Sequence, residues 1–159
     1  MKRHRIAIVL SSVALVAAVV LASRGCGTAS DGRNDAMLFL DRVDGLEVDD
    51  PLEERRTRVR VLTELPISSS RVDAARDVCV AAHTALIRAE DLHAQARADL
   101  ARASHDGSVQ VSTEMALEIE TAITESDEAI QQSRDLFPRC TQAIRALETR
   151  YTTRRHESR

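Results

Sequence analysis

Two long segments of this chain repeat small and apolar residues at alternating spacings of three and four, which constrains the fold more than any other feature. This repeat is typical of coiled-coil helices that pack along one face. The first segment carries Val72, Ala75, Cys79, Ala82, Leu86, Ala89, His93, Ala96, Leu100 and Ala103. The second carries Met115, Ile119, Ala122, Ser126, Ala129, Ser133, Leu136, Cys140, Ala143 and Leu147.

The stretch between the two repeats, HDGSVQ at 105–110, has the composition of a turn. If the segments fold back on each other, each step forward along one helix is matched by a step back along the other. The residue numbers of two facing residues should therefore add up to nearly the same value in every layer. Five layers, among them Val72 with Leu147 and Cys79 with Cys140, sum to 219, and the five layers that alternate with them sum to 218. The sequence therefore predicts an antiparallel helical hairpin in a single register.

Capping patterns set the expected bounds of the helices. Asp50 before Pro51, with Glu53 three residues after Asp50, predicts a capping box at the start of a short helix that runs to about Leu65. The long helices are expected over 70–104 and from 112 or 113 to about 153. The fold class expected is all-α, a long hairpin with one or two shorter helices packed on it as a three- to four-helix bundle.

An uncharged apolar run, 6–22, follows Lys2, Arg3 and Arg5 at the start of the chain. Such a run is typical of a secretory signal or a membrane anchor, and the basic residues keep the N-terminus in the cytoplasm. The expected organisation is a signal or anchor segment over 1–25, a flexible linker over 26–35, an extracytoplasmic helical bundle over 36–155 and a disordered tail over 156–159.

Three fates of the leader stay open, and they differ in what happens at Cys26. The anchor is uncleaved, or a signal is cleaved near Ala22 or Ser23, or Cys26 is lipidated. The sequence LASRGC resembles the signal of bacterial lipoproteins, in which a small residue precedes an acylated cysteine. Ser23 and Arg24 depart from it, because that signal has an aliphatic and a small uncharged residue there. An uncleaved form leaves Cys26 able to bridge two copies.

The other two cysteines, Cys79 and Cys140, face each other in the predicted register. Outside the cytoplasm disulfides persist, so we expect them to form one, with two buried thiols as the alternative. Closing a loop of about 60 residues stabilises a fold by roughly 4 kcal/mol on the chain-entropy estimate.

One flank of the second long helix is apolar beside its seam. Its residues recur every seven positions: Ala116, Ile123, Ile130, Phe137, Ile144 and Tyr151. The half near Ile123 and Ile130 lies far from the shorter helices. We expect this half either to be exposed for a protein partner or a second copy, or to be covered by the first helix.

Glu90-x-x-His93 is the spacing with which helical bundles hold metal ions. The alternative is a core histidine hydrogen-bonded to Ser126. No H-E-x-x-H, G-x-S-x-G or phosphate-binding glycine loop occurs in the sequence, so we expect neither an enzyme nor a resident cofactor.

Charge and composition argue against nucleic acid as a partner. Residues 1–25 hold four basic residues and no acidic one, so without them the net charge falls from −3 to −7.

The expected function is that of a membrane-tethered, extracytoplasmic helical interaction or scaffold protein of a bacterial envelope. The alternative is a small helical metal- or ligand-binding envelope protein that uses Glu90 and His93.

Overall fold

Four helices account for nearly all of the chain that the structure describes. The computed structural model describes residues 29–105, 108–109 and 111–152. The helices are α1 (Ala29–Asp44), α2 (Leu52–Thr63), α3 (Ser70–Ala103) and α4 (Thr113–Thr152). Two-residue strands, β1 (Ser104–His105) and β2 (Ser108–Val109), pair antiparallel where α3 turns back into α4. The all-helical fold is thus confirmed for these residues.

The long helices begin and end within one or two residues of their predicted bounds. The hydroxyl of Ser112 accepts a hydrogen bond from the backbone N–H of Met115 at 3.2 Å, which caps the start of α4. Pro138 lies inside α4, and the helix continues past it to Thr152.

The predicted capping box at the start of α2 is wrong. The helix begins at Leu52 without a side-chain cap. The carboxylate of Asp50 turns away from the helix, because it accepts the backbone N–H of Glu47 at 3.2 Å and pairs with Arg58 at 3.2 Å. Asp50 therefore closes the preceding turn and leaves the first N–H groups of α2 without it.

Small side chains form the seam between α3 and α4. The buried seam residues are Ala75, Ala82, Ala89, Ala96 and Ala103 on α3, with Ala122, Ser126, Ala129 and Ser133 on α4. The distance between packed helices depends on the side chains at the contact, so this seam allows a close approach. The Ser126 hydroxyl donates a hydrogen bond to the backbone carbonyl of Ala89 at 3.0 Å. The two backbones are close enough for a serine to span the gap.

The larger apolar side chains gather at the open end of the hairpin, away from the β1–β2 turn. There α1 and α2 pack on α3 and α4 around the fully buried side chains of Phe39, Leu62, Val72 and Leu147. This core occupies one half of the hairpin, and the other half consists of the two long helices alone among the described residues.

Helix α1 is fixed to the start of α3 by the carboxylate of Asp35. Its Oδ2 accepts the backbone N–H groups of Ser68 and Ser69, at 2.8 and 2.7 Å, and the Ser68 hydroxyl at 3.0 Å. Burial raises the pKa of Asp35, but these hydrogen bonds together outweigh it and hold the pKa below its ordinary value. The sequence predicts a flexible linker over 26–35, whereas α1 begins at Ala29 and Asp35 is engaged in this contact.

Helix α2 is held against α3 by two ion pairs. Arg55, which is only 3% exposed, donates to both carboxylate oxygens of Glu90 at 2.7 and 2.9 Å. Arg56 pairs with the adjacent Asp91. The bidentate Arg55–Glu90 geometry fixes the position of α2 along α3, and it brings the start of α2 level with residues 90 and 91.

None of the described helices is long and apolar enough to cross a membrane. The predicted signal or anchor segment over 1–25, Cys26 and the predicted tail over 156–159 lie outside the described residues.

We predict that Asp35→Ala lowers the free energy of unfolding by about 2 kcal/mol at neutral pH, because two backbone N–H groups lose a charged acceptor. Chemical denaturation of the full chain in mild detergent, followed by circular dichroism, measures the loss. Since the pKa of Asp35 is lowered, its contribution is present at neutral pH and disappears as the pH falls through that lowered value.

Asp41→Ala is the matched control, because Asp41 lies on the same helix and its side chain is exposed. Equal stability losses for the two variants would show that the Asp35 contact does not hold α1 in place.

Candidate interaction surface

A shallow apolar groove runs along the uncovered half of the hairpin, with a volume of about 300 Å³. We call it the turn groove. It is lined by His93, Ala96, Arg97 and Leu100 of α3 and by Ile119, Ile123, Ser126, Asp127 and Ile130 of α4. A second depression shares Leu100, Ile119 and Ile123 with it and extends toward the turn at Val111 and Ala116, with Glu120 and Thr124 at its edge.

The turn groove exposes large apolar side chains. Leu100 and Ile123 are each 48% exposed, and Ile130 is half-buried. Leu100 belongs to the predicted stripe of α3, but its neighbours Ala96 and Ala103 are the buried residues of that stripe, so Leu100 lies at the edge of the contact. Ile123 and Ile130 lie on the flank of α4, beside its buried alanines. The sequence leaves open whether the first helix covers this flank, and the structure places α1 at the opposite end, packed near Tyr151.

The groove follows directly from where the short helices stop. On the same flank of α4, Phe137, Ile144 and Tyr151 are only partly exposed, and the last two pack against the core at the open end. The ion pairs of Arg55 and Arg56 place the start of α2 beside residues 90 and 91, one turn before His93. Among the described residues nothing covers the flank from there to the turn.

The two rims of the groove carry opposite charge. Arg97 lies on the α3 side, whereas Asp127 and Glu120 lie on the α4 side. Arg97 and Asp127 are both exposed, and neither forms an ion pair with another described residue. The groove therefore combines an apolar floor with a positive rim and a negative rim, the composition of a protein–protein contact with a polar edge.

Glu90 and His93, the predicted metal candidates, have different surroundings. Both carboxylate oxygens of Glu90 accept hydrogen bonds from Arg55, whereas the His93 side chain is exposed at the turn groove. The expected hydrogen bond between a buried His93 and Ser126 is wrong, because the Ser126 hydroxyl reaches the Ala89 carbonyl instead. Within the described ranges, no group of three or more His, Cys, Asp or Glu side chains is placed to hold a metal ion.

Cys79 and Cys140 are joined by a disulfide in the structure, with their Cα atoms 4.8 Å apart. Both are buried at the open half of the hairpin, where they belong to the hydrophobic core. Their Cα separation lies within the range that disulfides tolerate. The seam of small residues brings the two helices close enough for this bond.

His83, one turn after Cys79, is a buried residue that sequence reasoning missed. Its ring meets the Phe137 ring edge-on at 4.8 Å, and its Nδ1 has no hydrogen-bond partner among the described residues. Burial, followed by the positive charge of Arg55, lowers the pKa of His83 to about 4, while Asp50 acts in the opposite direction. The predicted register could have found this contact, because it places residue 83 opposite 136 and therefore beside Phe137.

The chain matches no protein-family model, and no curated protein and no solved structure is significantly similar to it.

We predict that the free energy of unfolding falls by about 2 kcal/mol between pH 7 and pH 5 because of His83. The unfolded imidazole, with its ordinary pKa of 6.5, binds a proton over this range, whereas the folded one, with a pKa of about 4, does not. Denaturation curves of the full chain in detergent at several pH values measure this slope.

His83→Gln should remove most of that slope, and His93→Gln, at an exposed position, should keep it. A His83→Gln variant whose stability falls with pH as steeply as the unmodified chain would contradict the assignment.

Proposed function

We propose that this chain is a membrane-tethered, extracytoplasmic helical interaction protein of a bacterial envelope, without enzymatic activity, and that it contacts its protein partner through the turn groove. The observation that carries the proposal is the exposure of Leu100 and Ile123 on a half of the hairpin that no other described helix covers. Large exposed apolar side chains grouped between charged rims mark interaction sites more often than isolated ones do.

The architecture supports a role in presenting this surface. The 34 residues of α3 extend about 50 Å at about 1.5 Å per residue. Helix α1 begins at the open end of the hairpin. Its Gly32 lies next to the Tyr151 hydroxyl, which would be only 3.1 Å from a Cβ atom at position 32. In this proposal the anchor is connected to the bundle through the start of α1 at Ala29, which lies at the end opposite the groove.

Two features support an extracytoplasmic location. The apolar run over 6–22 follows three basic residues, Lys2, Arg3 and Arg5, which retain the N-terminus in the cytoplasm. The Cys79–Cys140 bond lies in the core of the bundle, and such structural disulfides persist in oxidising compartments. Both features fit a chain that folds after export.

We predict that thiol-blocked protein isolated from membranes yields a disulfide-linked pair of tryptic peptides, 77–88 with 140–145. These peptides contain Cys79 and Cys140, and non-reducing mass spectrometry detects the pair. The same digest reports whether the N-terminus is intact, trimmed or acylated at Cys26. Two alkylated thiols in place of the linked pair would contradict both the bond and the oxidising compartment.

The groove itself is tested by placing the photoreactive residue p-benzoylphenylalanine at Thr124 in the full chain in its membrane. Thr124 is exposed, and it lies beside Ile123 in the depression that continues the groove toward the turn. We predict that ultraviolet light links Thr124→p-benzoylphenylalanine to a protein partner. Thr141 is the matched control, since it is an exposed threonine of the same helix outside the groove.

Ile123→Glu should abolish the product at 124, because it places a charge among the apolar side chains of the groove. Val61→Glu, at an exposed apolar position on α2, should leave it unchanged. Crosslinking at 124 no stronger than at 141 would contradict a role for the groove in binding.

A further inference from the structure

We propose that the occupant of the turn groove is a second copy of this chain, related to the first by a two-fold axis that runs parallel to the hairpin. This inference rests on the proposed interaction function and names the partner. In such a pair, α3 of each copy lies in the groove against α4 of the other, and the uncovered halves of two hairpins form a four-helix bundle.

The distribution of charge selects this arrangement. The α3 rim carries the positive Arg97, and the α4 rim carries the negative Glu120 and Asp127. Rotation about an axis parallel to the hairpin exchanges the rims, so the positive rim of one copy meets the negative rim of the other. A two-fold contact is self-complementary in this way, because each contact between two different residues occurs twice.

The other face-to-face arrangement sets charges of the same sign against each other. An axis perpendicular to the hairpin would stack α3 on α3 and α4 on α4. The groove side of α4 carries Glu120 and Asp127, so two acidic rims would then meet. Like charges that face each other across an interface disfavour that pairing.

The register of the hairpin brings the opposite charges to similar heights. Position 97 on α3 is level with position 122 on α4, between Glu120 and Asp127, and His93 is level with 126, next to Asp127. Arg97 and Asp127 are five residues apart in height, about 7 Å at about 1.5 Å per residue. Side chains on a helix lean toward its N-terminus, so Arg97 leans toward the open end and Asp127 of the second copy leans toward the turn. The two side chains therefore converge.

The same axis agrees with the proposed tether. Because α1 begins at the open end in each copy, an axis along the hairpin places both starting points at Ala29 on the same side of the pair. Two chains anchored in one membrane can then form the contact side by side. The perpendicular axis would separate the two open ends and place them on opposite sides of the pair.

The first test identifies the product of the crosslink at 124 in cells that make two differently tagged full-length copies. A product of about twice the mass of the tagged monomer that carries both tags is expected. A product that contains a different protein would overturn the second copy as occupant and leave the interaction function standing. If the residue at 124 forms no more crosslinked product than the control at 141, both the second copy as occupant and the interaction function of the groove are overturned.

The second test reverses the charges at the rims. Arg97→Asp and Asp127→Arg should each reduce self-crosslinking about tenfold, since each creates two like-charge contacts in the pair. Both positions are exposed and lack ion pairs with other described residues, so the fold should persist, and the linked peptides 77–88 and 140–145 report on it. Arg71→Asp, at an exposed position of α3 outside the groove, is the control.

The double variant with Arg97→Asp and Asp127→Arg should restore crosslinking to within about twofold, because both rims change sign on both copies. A partner of another kind would keep its own charges and would not bind the double variant better than the single ones. Failure of the double variant to recover, while it remains folded, would overturn the proposed pairing.

Discussion

The close packing of α3 and α4 along their seam of alanine and serine is the contact on which the rest of the structure depends. Five alanines of α3 are buried there, and a serine of α4 reaches the backbone of the facing helix. Small side chains contribute little apolar area of their own. The hairpin therefore depends on other contacts for stability, and these are concentrated at its open half.

The seam determines where the larger side chains lie. Although Val72 and Leu147 belong to the seam itself, many of the larger apolar side chains lie beside the contact, on the flanks of the two helices. At the open half α1 and α2 cover them and build the core around Phe39 and Leu62. At the turn half the described chain offers no cover, so Leu100 and Ile123 border an apolar groove. One feature of the hairpin thus produces both a buried core and an exposed surface.

Polar contacts set the boundary between these halves. The Asp35 carboxylate ties α1 to the start of α3, and the pair of the buried Arg55 with Glu90 positions α2 along α3. The disulfide and the buried His83 also lie on the covered side of this boundary. Contacts between distant parts of the sequence are therefore concentrated in the open half, whereas the turn half is held mainly by its seam. A surface that binds another chain commonly lies in such a sparsely contacted region.

The helices, the hairpin and its register could be predicted from the sequence, because a spacing of three and four residues repeats over more than 30 positions and a local turn separates the two repeats. The same numbering predicts that Cys79 and Cys140 meet. Local patterns were less reliable at Asp50. Its position predicts a capping box, but its carboxylate accepts the backbone N–H of Glu47 and pairs with Arg58 instead. They also failed at residues 29–35, whose polar composition suggested a linker although they form the first turns of α1.

The sequence by itself determined that the chain is helical, where its long helices lie and which residues face each other along the seam, since these follow from local spacing and a single turn. Only the tertiary structure decided which flank α1 and α2 cover. It also decided that His93 is exposed while His83 is buried, and that Glu90 forms an ion pair with Arg55. These outcomes depend on how separate helices approach one another, and the side chains that set that approach are distant in sequence and follow no common period.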